Sequence, residues 1–115
     1  MLVEYISILE ELMEKLIELA NKIEDKETYY EKLIEIVKEI EYTINLLFQI
    51  FSDVELAETA GFDKIYILQI LQDLMSGIEN DDRVLLVDVL RFGLYQELHK
   101  VYEFMLVINE EMEEA

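Results

Sequence analysis

The residues of this chain that could carry acid–base or metal chemistry are 27 carboxylates and a single histidine, His99. Helical bundles that hold two metal ions use two Glu-x-x-His pairs whose side chains face inward. Here the residue three positions before His99 is Gln96, so neither pair is present. Glu31, Glu35 and Glu39 recur at four-residue spacing, which is typical of a solvated helix face in so acidic a chain. We therefore expect no metal site and no cofactor.

The residues and motifs that other kinds of catalytic site require are also missing from this sequence. The chain has no cysteine, so it has neither a thiol nucleophile nor a thiolate metal ligand. With only three glycines, it contains no glycine-rich loop of the kind that cradles a phosphate. One histidine and no glycine elbow make a serine nucleophile a poor hypothesis. The sequence predicts a protein that is not an enzyme.

The charge balance restricts the partners. The net charge is −18, with nine lysines and arginines against the 27 acids, although 53% of the residues are hydrophobic. A surface of this sign repels phosphates and anionic lipid heads, so we expect no direct nucleic-acid binding and no membrane binding. No apolar run approaches the roughly 18 residues that a membrane span needs, and Met1–Tyr5 has no basic leader. We expect a cytoplasmic protein.

Apolar residues that recur every three or four positions predict an all-α protein. Four helices are expected, from about Leu2 to Ile23, from Tyr30 to Ala60, from just after Asp63 to between Ser76 and Glu79, and from Arg83 to Met112. The segment Asn80-Asp81-Asp82 forms the turn between the last two helices and the cap of the fourth. Short connections favour an antiparallel up-down four-helix bundle with a long second and fourth helix, as a single domain over residues 1–115.

Local signals mark the ends of the second helix. Thr28 and Glu31 have the spacing of a capping box at its start, and Gly61 is a suitable terminating residue. Ser52 and Asp53 form a competing helix-start signal within it. Because the apolar spacing continues past them, we expect a continuous helix that is kinked near Ser52.

The fourth helix carries more apolar residues than one buried face requires. Six of the seven residues of Val84–Leu90 are apolar, and Phe92 and Phe104 fall outside the main stripe. The candidate partner-binding residues are Leu85, Leu86, Val89, Phe92 and Phe104. Gly93 lies in the middle of this helix, which indicates either a close helix crossing or the approach of a partner's backbone. A helix that is apolar most of the way round indicates an interface.

Two stretches resemble known families. Residues Tyr5-Ile6-Ser7-Ile8-Leu9-Glu10-Glu11-Leu12-Met13-Glu14-Lys15-Leu16 resemble the opening helix of bacterial flagellar export chaperones of the hook-associated-protein type. Asn80–Leu90 is similar to a segment of small uncharacterised acidic helical proteins of Gram-positive bacteria. The two stretches cover about a fifth of the chain. The chaperone resemblance implies an acidic helical protein that binds a helical segment of a client and does no chemistry.

The leading hypothesis is a chaperone-like or adaptor-like interaction protein, either self-associating as a homodimer or holding an amphipathic, basic helix of a partner. Surplus apolar residues would supply the contact, and the acidic surround would attract a basic partner. The alternative is a regulator whose carboxylates imitate a nucleic-acid backbone and occupy a DNA- or RNA-binding protein.

Overall fold

The computed structural model describes residues 2–114, which form an all-helical body of about 49 × 24 × 19 Å. Met1 and Ala115, the ends of the expected domain, lie outside the described residues. Five helices follow in order: α1 (Leu2–Glu24), α2 (Tyr30–Ile50), α3 (Val54–Ala60), α4 (Lys64–Glu79) and α5. Helix α5 is continuous and comprises α-helical Arg83–Asp88, π-helical Val89–Leu94 and α-helical Tyr95–Glu114. The expected count of four helices is therefore not confirmed.

Helix α1 is the centre of the packing. It lies against α2 on one side and along all three parts of α5 on the other. Its seven-residue repeat places Leu9, Leu16 and Ile23 on one face, and each of them is almost fully buried. Helix α4 packs on the first half of α5, and the short α3 contacts the second half of α5. One continuous apolar core joins all these helices.

The expected continuous second helix is wrong, and the competing signal at Asp53 is correct. Helix α2 ends at Ile50, and the Asp53 carboxylate accepts hydrogen bonds from the N–H groups of Glu55 and Leu56 at 2.9 and 3.2 Å. This side chain satisfies amides that a continuous helix would have paired with its own carbonyls, so a new helix begins. Gly61 then terminates α3 with φ +74°, a conformation that suits glycine.

The capping box expected at Thr28 is also not formed. Helix α2 begins at Tyr30, and no side chain caps it. The residue at the cap position is Tyr29, whose ring is only 6% exposed. Burial of that ring decides the start of the helix, because the core gains more from an aromatic ring than a solvated threonine cap contributes.

The expected boundaries around α4 are confirmed. Asp63 accepts a hydrogen bond from the N–H of Tyr66 at 3.1 Å, and Asp82 accepts one from the N–H of Leu85 at the same distance. These two aspartates are the N-caps of α4 and α5. Between the two helices Asp81 adopts φ +49°, which turns the chain sharply.

The π-helical segment of α5 has a visible cause in the sequence. Leu86, Leu90, Leu94 and Leu98 recur at successive four-residue intervals, and all four are at most 1% exposed. In a regular α-helix of 3.6 residues per turn, this spacing would rotate Leu98 about 120° away from Leu86. The wider turn of a π-helix absorbs that rotation. All four leucines therefore face the same core.

Candidate functional site

The five residues expected to bind a partner do not form one surface. Leu86 and Val89 are buried, at 1% and 5% exposure, while Leu85 and Phe104 are half-buried. Only Phe92 is well exposed, at 64%. The expectation that all five are surplus to the core is therefore wrong, because α4 and the other helices cover most of this part of α5.

The glycines of α4 and α5 explain how α4 comes so close. A Cβ placed on Gly77 would lie 2.9 Å from Cδ2 of Leu86, and a Cβ on Gly93 would lie 3.1 Å from Cγ2 of Ile70. These are contacts within the chain, between α4 and α5. Of the two interpretations of Gly93, the close helix crossing is correct.

One of the apolar surfaces that the fold leaves exposed begins on α4. Eight of the eleven residues from Ile65 to Met75 are apolar, but only Ile67, Ile70 and Leu74 among them are buried. Leu68 and Met75 remain 44% and 50% exposed. Together with half-buried Leu71 and Ile78, they follow the alternating three- and four-residue spacing that aligns side chains along one helix face.

Helix α2 carries a matching row. Tyr30 is 62% exposed and Ile34 is 37% exposed, and Val37 and Phe48 on the same side are half-buried. The spacing between these positions again keeps them on one face, with Glu41 as the polar member of the row. The row is displaced around the helix from Glu39, which faces α1 through an ion pair with Lys15 at 2.7 Å.

The two rows approach each other at both ends, and we infer from this that they border one groove. At one end, Tyr30 and Leu33 of α2 line a cleft of about 430 Å³ with Ile78 of α4. At the other end, Phe48 lines a cleft of about 880 Å³ with Lys64 and Ile65. Helices α2 and α4 therefore run antiparallel to each other. We define the α2/α4 groove by eight residues: Tyr30, Ile34, Val37, Phe48, Leu68, Leu71, Met75 and Ile78.

The groove is open because little holds its two walls together. Among residues 2–114, no hydrogen bond or ion pair joins a side chain of α2 to one of α4. The close backbone packing in this part of the chain is of α2 on α1 and of α4 on α5. Below the groove the core is closed, with Ile40 and Ile67 each 1% exposed. The groove is a surface feature and not a cavity.

At the Tyr30 end of the α2/α4 groove, a polar contact joins the residue before α2 to the turn after α4. The Tyr29 hydroxyl donates a hydrogen bond of 2.6 Å to the Asp81 carboxylate, and the Arg83 guanidinium lies 5.2 Å from the centre of the Tyr29 ring. The hydrogen bond to Asp81, followed by burial, raises the pKa of Tyr29 above its usual value, because both favour the protonated hydroxyl. Tyr29 therefore stays a neutral donor at physiological pH.

At the opposite end, three phenylalanines form the floor. The Phe51 and Phe62 rings stack at 4.9 Å between centroids, and Phe48 meets Phe62 edge-on at 5.8 Å. The Lys64 ammonium lies 4.9 Å from the centre of the Phe48 ring. This end therefore combines apolar rings with a cation that is already engaged on one of them.

His99 lies away from this groove, on the side where α5 meets α1. Its Nε2 is 3.3 Å from the Glu103 carboxylate, and its ring stacks on Tyr95 with 6.0 Å between centroids. His99 and Tyr95 line a depression of about 640 Å³ between α5 and α1, and Glu10, Glu14 and other acids of α1 line its other wall. Nowhere in the described part of the chain do three or more histidines, aspartates or glutamates converge as metal ligands would.

Comparison with known proteins adds no relative. No family model, curated protein or solved structure matches this chain. Of the helices in residues 2–114, none combines the length and the apolar character that crossing a membrane requires. The α2/α4 groove was not predicted, although the eight apolar residues of Ile65–Met75 were a signal for it. That stretch exceeds a single buried stripe as clearly as Val84–Leu90 does.

Proposed function

We propose that this protein is a non-enzymatic interaction module that takes up an amphipathic helix of a partner protein in the α2/α4 groove. The observation that carries this proposal is the pair of exposed apolar rows on two neighbouring helices that do not pack closely on each other. An amphipathic helix binds such a groove by placing residues spaced three and four apart between the two walls.

The strength of the apolar contact can be bounded. Burying a large aliphatic or aromatic side chain completely contributes about 1.5–3 kcal/mol. Tyr30, Ile34, Leu68 and Met75 are each roughly half exposed, so covering all four contributes about 4 kcal/mol. Association costs at least about 4 kcal/mol in lost freedom of motion. Apolar burial alone therefore gives weak binding, and an additional favourable term is needed for a stable complex.

The homodimer, the export-chaperone resemblance and the nucleic-acid mimic stay predictions, and the present proposal rests on the groove alone. The acidic, cysteine-free composition supports a cytoplasmic site of action for such a module.

A single-cysteine label tests the location of binding, because the chain has no cysteine of its own. Gln72→Cys places an environment-sensitive dye on the exposed side of α4 beside the groove, and Gln96→Cys places it on the exposed side of α5. The ligand is an 18-residue peptide with a leucine stripe at helical spacing and lysines elsewhere. We expect saturable blue-shifted emission from the dye at position 72 and an unchanged spectrum at position 96. Equal responses at both positions, or none at position 72, would contradict the proposal.

A further inference from the structure

The length of the α2/α4 groove limits what can fill it. Between the two end clefts, α4 runs from Lys64 to Ile78 and α2 runs from Tyr30 to Phe48. At a rise of 1.5 Å per residue these helix segments measure about 21 and 27 Å. A helix that contacts both walls along their length therefore has about 14–18 residues, or four to five turns.

The spacing of the apolar residues limits the sequence of that helix. The α4 wall presents Leu68, Leu71, Met75 and Ile78 at intervals of three, four and three residues. A helix that packs along this row needs apolar residues at the same alternating spacing, in a narrow stripe. Its remaining faces stay in water, beside the rims of the groove.

The charges around the groove determine which residues are favourable on the solvent-exposed faces of the bound helix. Glu41 lies in the α2 row, and Glu79 ends the α4 wall. Of the cations that line the two end clefts, Lys64 lies on the Phe48 ring, Arg83 lies on the Tyr29 ring and Lys100 pairs with Glu97. Lys26, the fourth, is next to Glu27 in the lining of the cleft at the Tyr30 end. Beyond these groups the whole protein carries a net charge of −18. Its field attracts a cationic helix and repels an anionic one within about 8 Å at physiological ionic strength.

A second copy of this chain is a poor occupant for the same reason. A symmetric dimer through this groove would bring two molecules of net charge −18 together around a modest apolar contact. Apolar burial there barely offsets the cost of association, so electrostatics determines whether a complex forms. That contribution is favourable for a basic partner and unfavourable for a second copy.

We propose that the partner is a lysine- or arginine-rich amphipathic helix of four to five turns, on a different chain from this one. This inference rests on the function proposed above, since it names the partner of the same groove. The apolar stripe of the partner helix would pack between α2 and α4. The basic residues on its other faces would lie near the acidic residues around the groove.

Three fluorescent 18-residue peptides test the proposal by anisotropy. The first has a leucine stripe with lysines elsewhere, the second replaces every lysine with glutamate, and the third permutes the first so that the stripe is lost. At 50 mM salt we expect the lysine peptide to bind at least tenfold more tightly than either of the others. We expect its affinity to fall at least fivefold at 300 mM salt, because screening removes the ionic contribution.

Two variants of the protein separate the partner inference from the proposed function. Met75→Glu places a charge in the groove, whereas Val107→Glu places the same charge on the outer side of α5, at a residue with matching exposure (50% and 51%). We expect Met75→Glu to weaken the lysine peptide at least tenfold and Val107→Glu to leave it within twofold. Because an added carboxylate attracts lysine, a loss of binding in Met75→Glu reports the apolar contact.

The outcomes are distinguishable. Equal binding of the lysine and glutamate peptides, still sensitive to Met75→Glu, would overturn the basic partner while leaving a helix-binding groove. A dimer by light scattering that Met75→Glu dissociates and Val107→Glu does not would show that a second copy occupies the groove. If the permuted peptide bound as tightly as the lysine peptide, the interaction would be non-specific electrostatic attraction, and the proposal of a helix with an apolar stripe would be overturned. No binding, or binding that ignores Met75→Glu, would overturn the proposed function itself.

Discussion

The interface of α1 with α5 and the groove between α2 and α4 are built from similar amino acids, but they differ in the burial of their apolar side chains and in their polar contacts. Where α1 and α5 pack on each other, the apolar residues between them are buried, and polar contacts join the two helices outside this apolar layer. The Arg91 guanidinium donates to the Glu24 carboxylate and, at 2.5 Å, to the Asn21 side-chain oxygen, while the Tyr102 hydroxyl donates to Glu10 at 2.9 Å. Among the described residues, no hydrogen bond or ion pair between side chains spans α2 and α4. The Lys64 ammonium over the Phe48 ring does join them, and apolar side chains there stay half exposed.

This difference separates stability from binding. Residues in the α1–α5 interface hold the bundle together, because their side chains are already covered and their polar groups already paired. The four most exposed residues on the walls of the α2/α4 groove, Tyr30, Ile34, Leu68 and Met75, contribute less to folding, since much of their surface is wet in the folded state as it is in the unfolded state. Substitutions at these exposed groove residues should therefore cost less stability than substitutions of buried residues in the interface.

The largest expected effect compares the same substitution in the two regions. Leu16→Ala removes a fully buried side chain of α1 and leaves a cavity, so we expect the free energy of unfolding to fall by about 2–5 kcal/mol. Leu68→Ala removes a half-exposed side chain from the groove wall and should cost no more than about 0.5 kcal/mol. Urea denaturation followed by circular dichroism measures both. Similar losses in the two variants would mean that the groove belongs to the core.

The polar contacts between α1 and α5 should contribute less to the free energy of unfolding than the buried apolar residues between these helices. Arg91→Met keeps the aliphatic stem and removes the contacts to Glu24 and Asn21. Because Glu24 is more than half exposed, solvent screens its pairing with Arg91, and we expect a loss of about 1 kcal/mol. Urea denaturation at low and high salt should show this loss shrinking as salt rises. An effect as large as that of Leu16→Ala would contradict the view that the apolar residues hold this interface.

Tyr29→Phe tests the contact that closes one end of the groove. It removes the hydrogen bond to Asp81 and keeps the buried ring, so we expect a loss of about 1 kcal/mol at pH 7. The pKa of Tyr29 is raised in the folded state, so this contribution is complete below the unfolded-state pKa and is lost as the pH rises through the folded-state pKa.

Urea denaturation of both proteins between pH 8 and pH 11.5 measures this dependence. The stability difference between wild type and Tyr29→Phe should stay constant up to about pH 9 and decrease above pH 10. Taking the difference between the two proteins cancels other groups that titrate in this range, such as Lys15. A difference that grows with pH would contradict the assigned direction of the hydrogen bond.

The smallest effect is expected at the surface pair between α1 and α2. Lys15 and Glu39 are each more than one-third exposed, so Lys15→Gln should change the free energy of unfolding by less than about 0.5 kcal/mol. Urea denaturation checks this value, with Lys32→Gln as a control in the exposed pair with Glu35. A loss above 1 kcal/mol in Lys15→Gln alone would assign a structural role to this pair.

Much of the fold could be predicted because its signals are local. The seven-residue repeat of α1, the aspartates Asp63 and Asp82 before α4 and α5, and the terminating Gly61 act within one or two turns of the chain. These features needed no knowledge of the packing, and the structure confirms them.

The features that could not be predicted depend on long-range contacts. The start of α2 is set by burial of the Tyr29 ring beside Asp81, 52 residues later in the chain. The π-helical segment follows from four leucines that must face one core, and the break before Asp53 brings Phe51 onto Phe62. The groove was missed because exposure depends on which helices pack closely. Val84–Leu90 and Ile65–Met75 have similar composition, yet α4 covers part of the first stretch while one side of the second stays uncovered.

The central claim, that the α2/α4 groove is the binding surface, is tested most directly by methyl NMR with the lysine peptide. We expect progressive chemical-shift changes at the methyl groups of Ile34, Leu68, Leu71 and Met75, and unchanged positions for Leu85 and Val107 on α5. Shift changes confined to α5 or to the depression beside His99, with the groove methyls unmoved, would contradict this account.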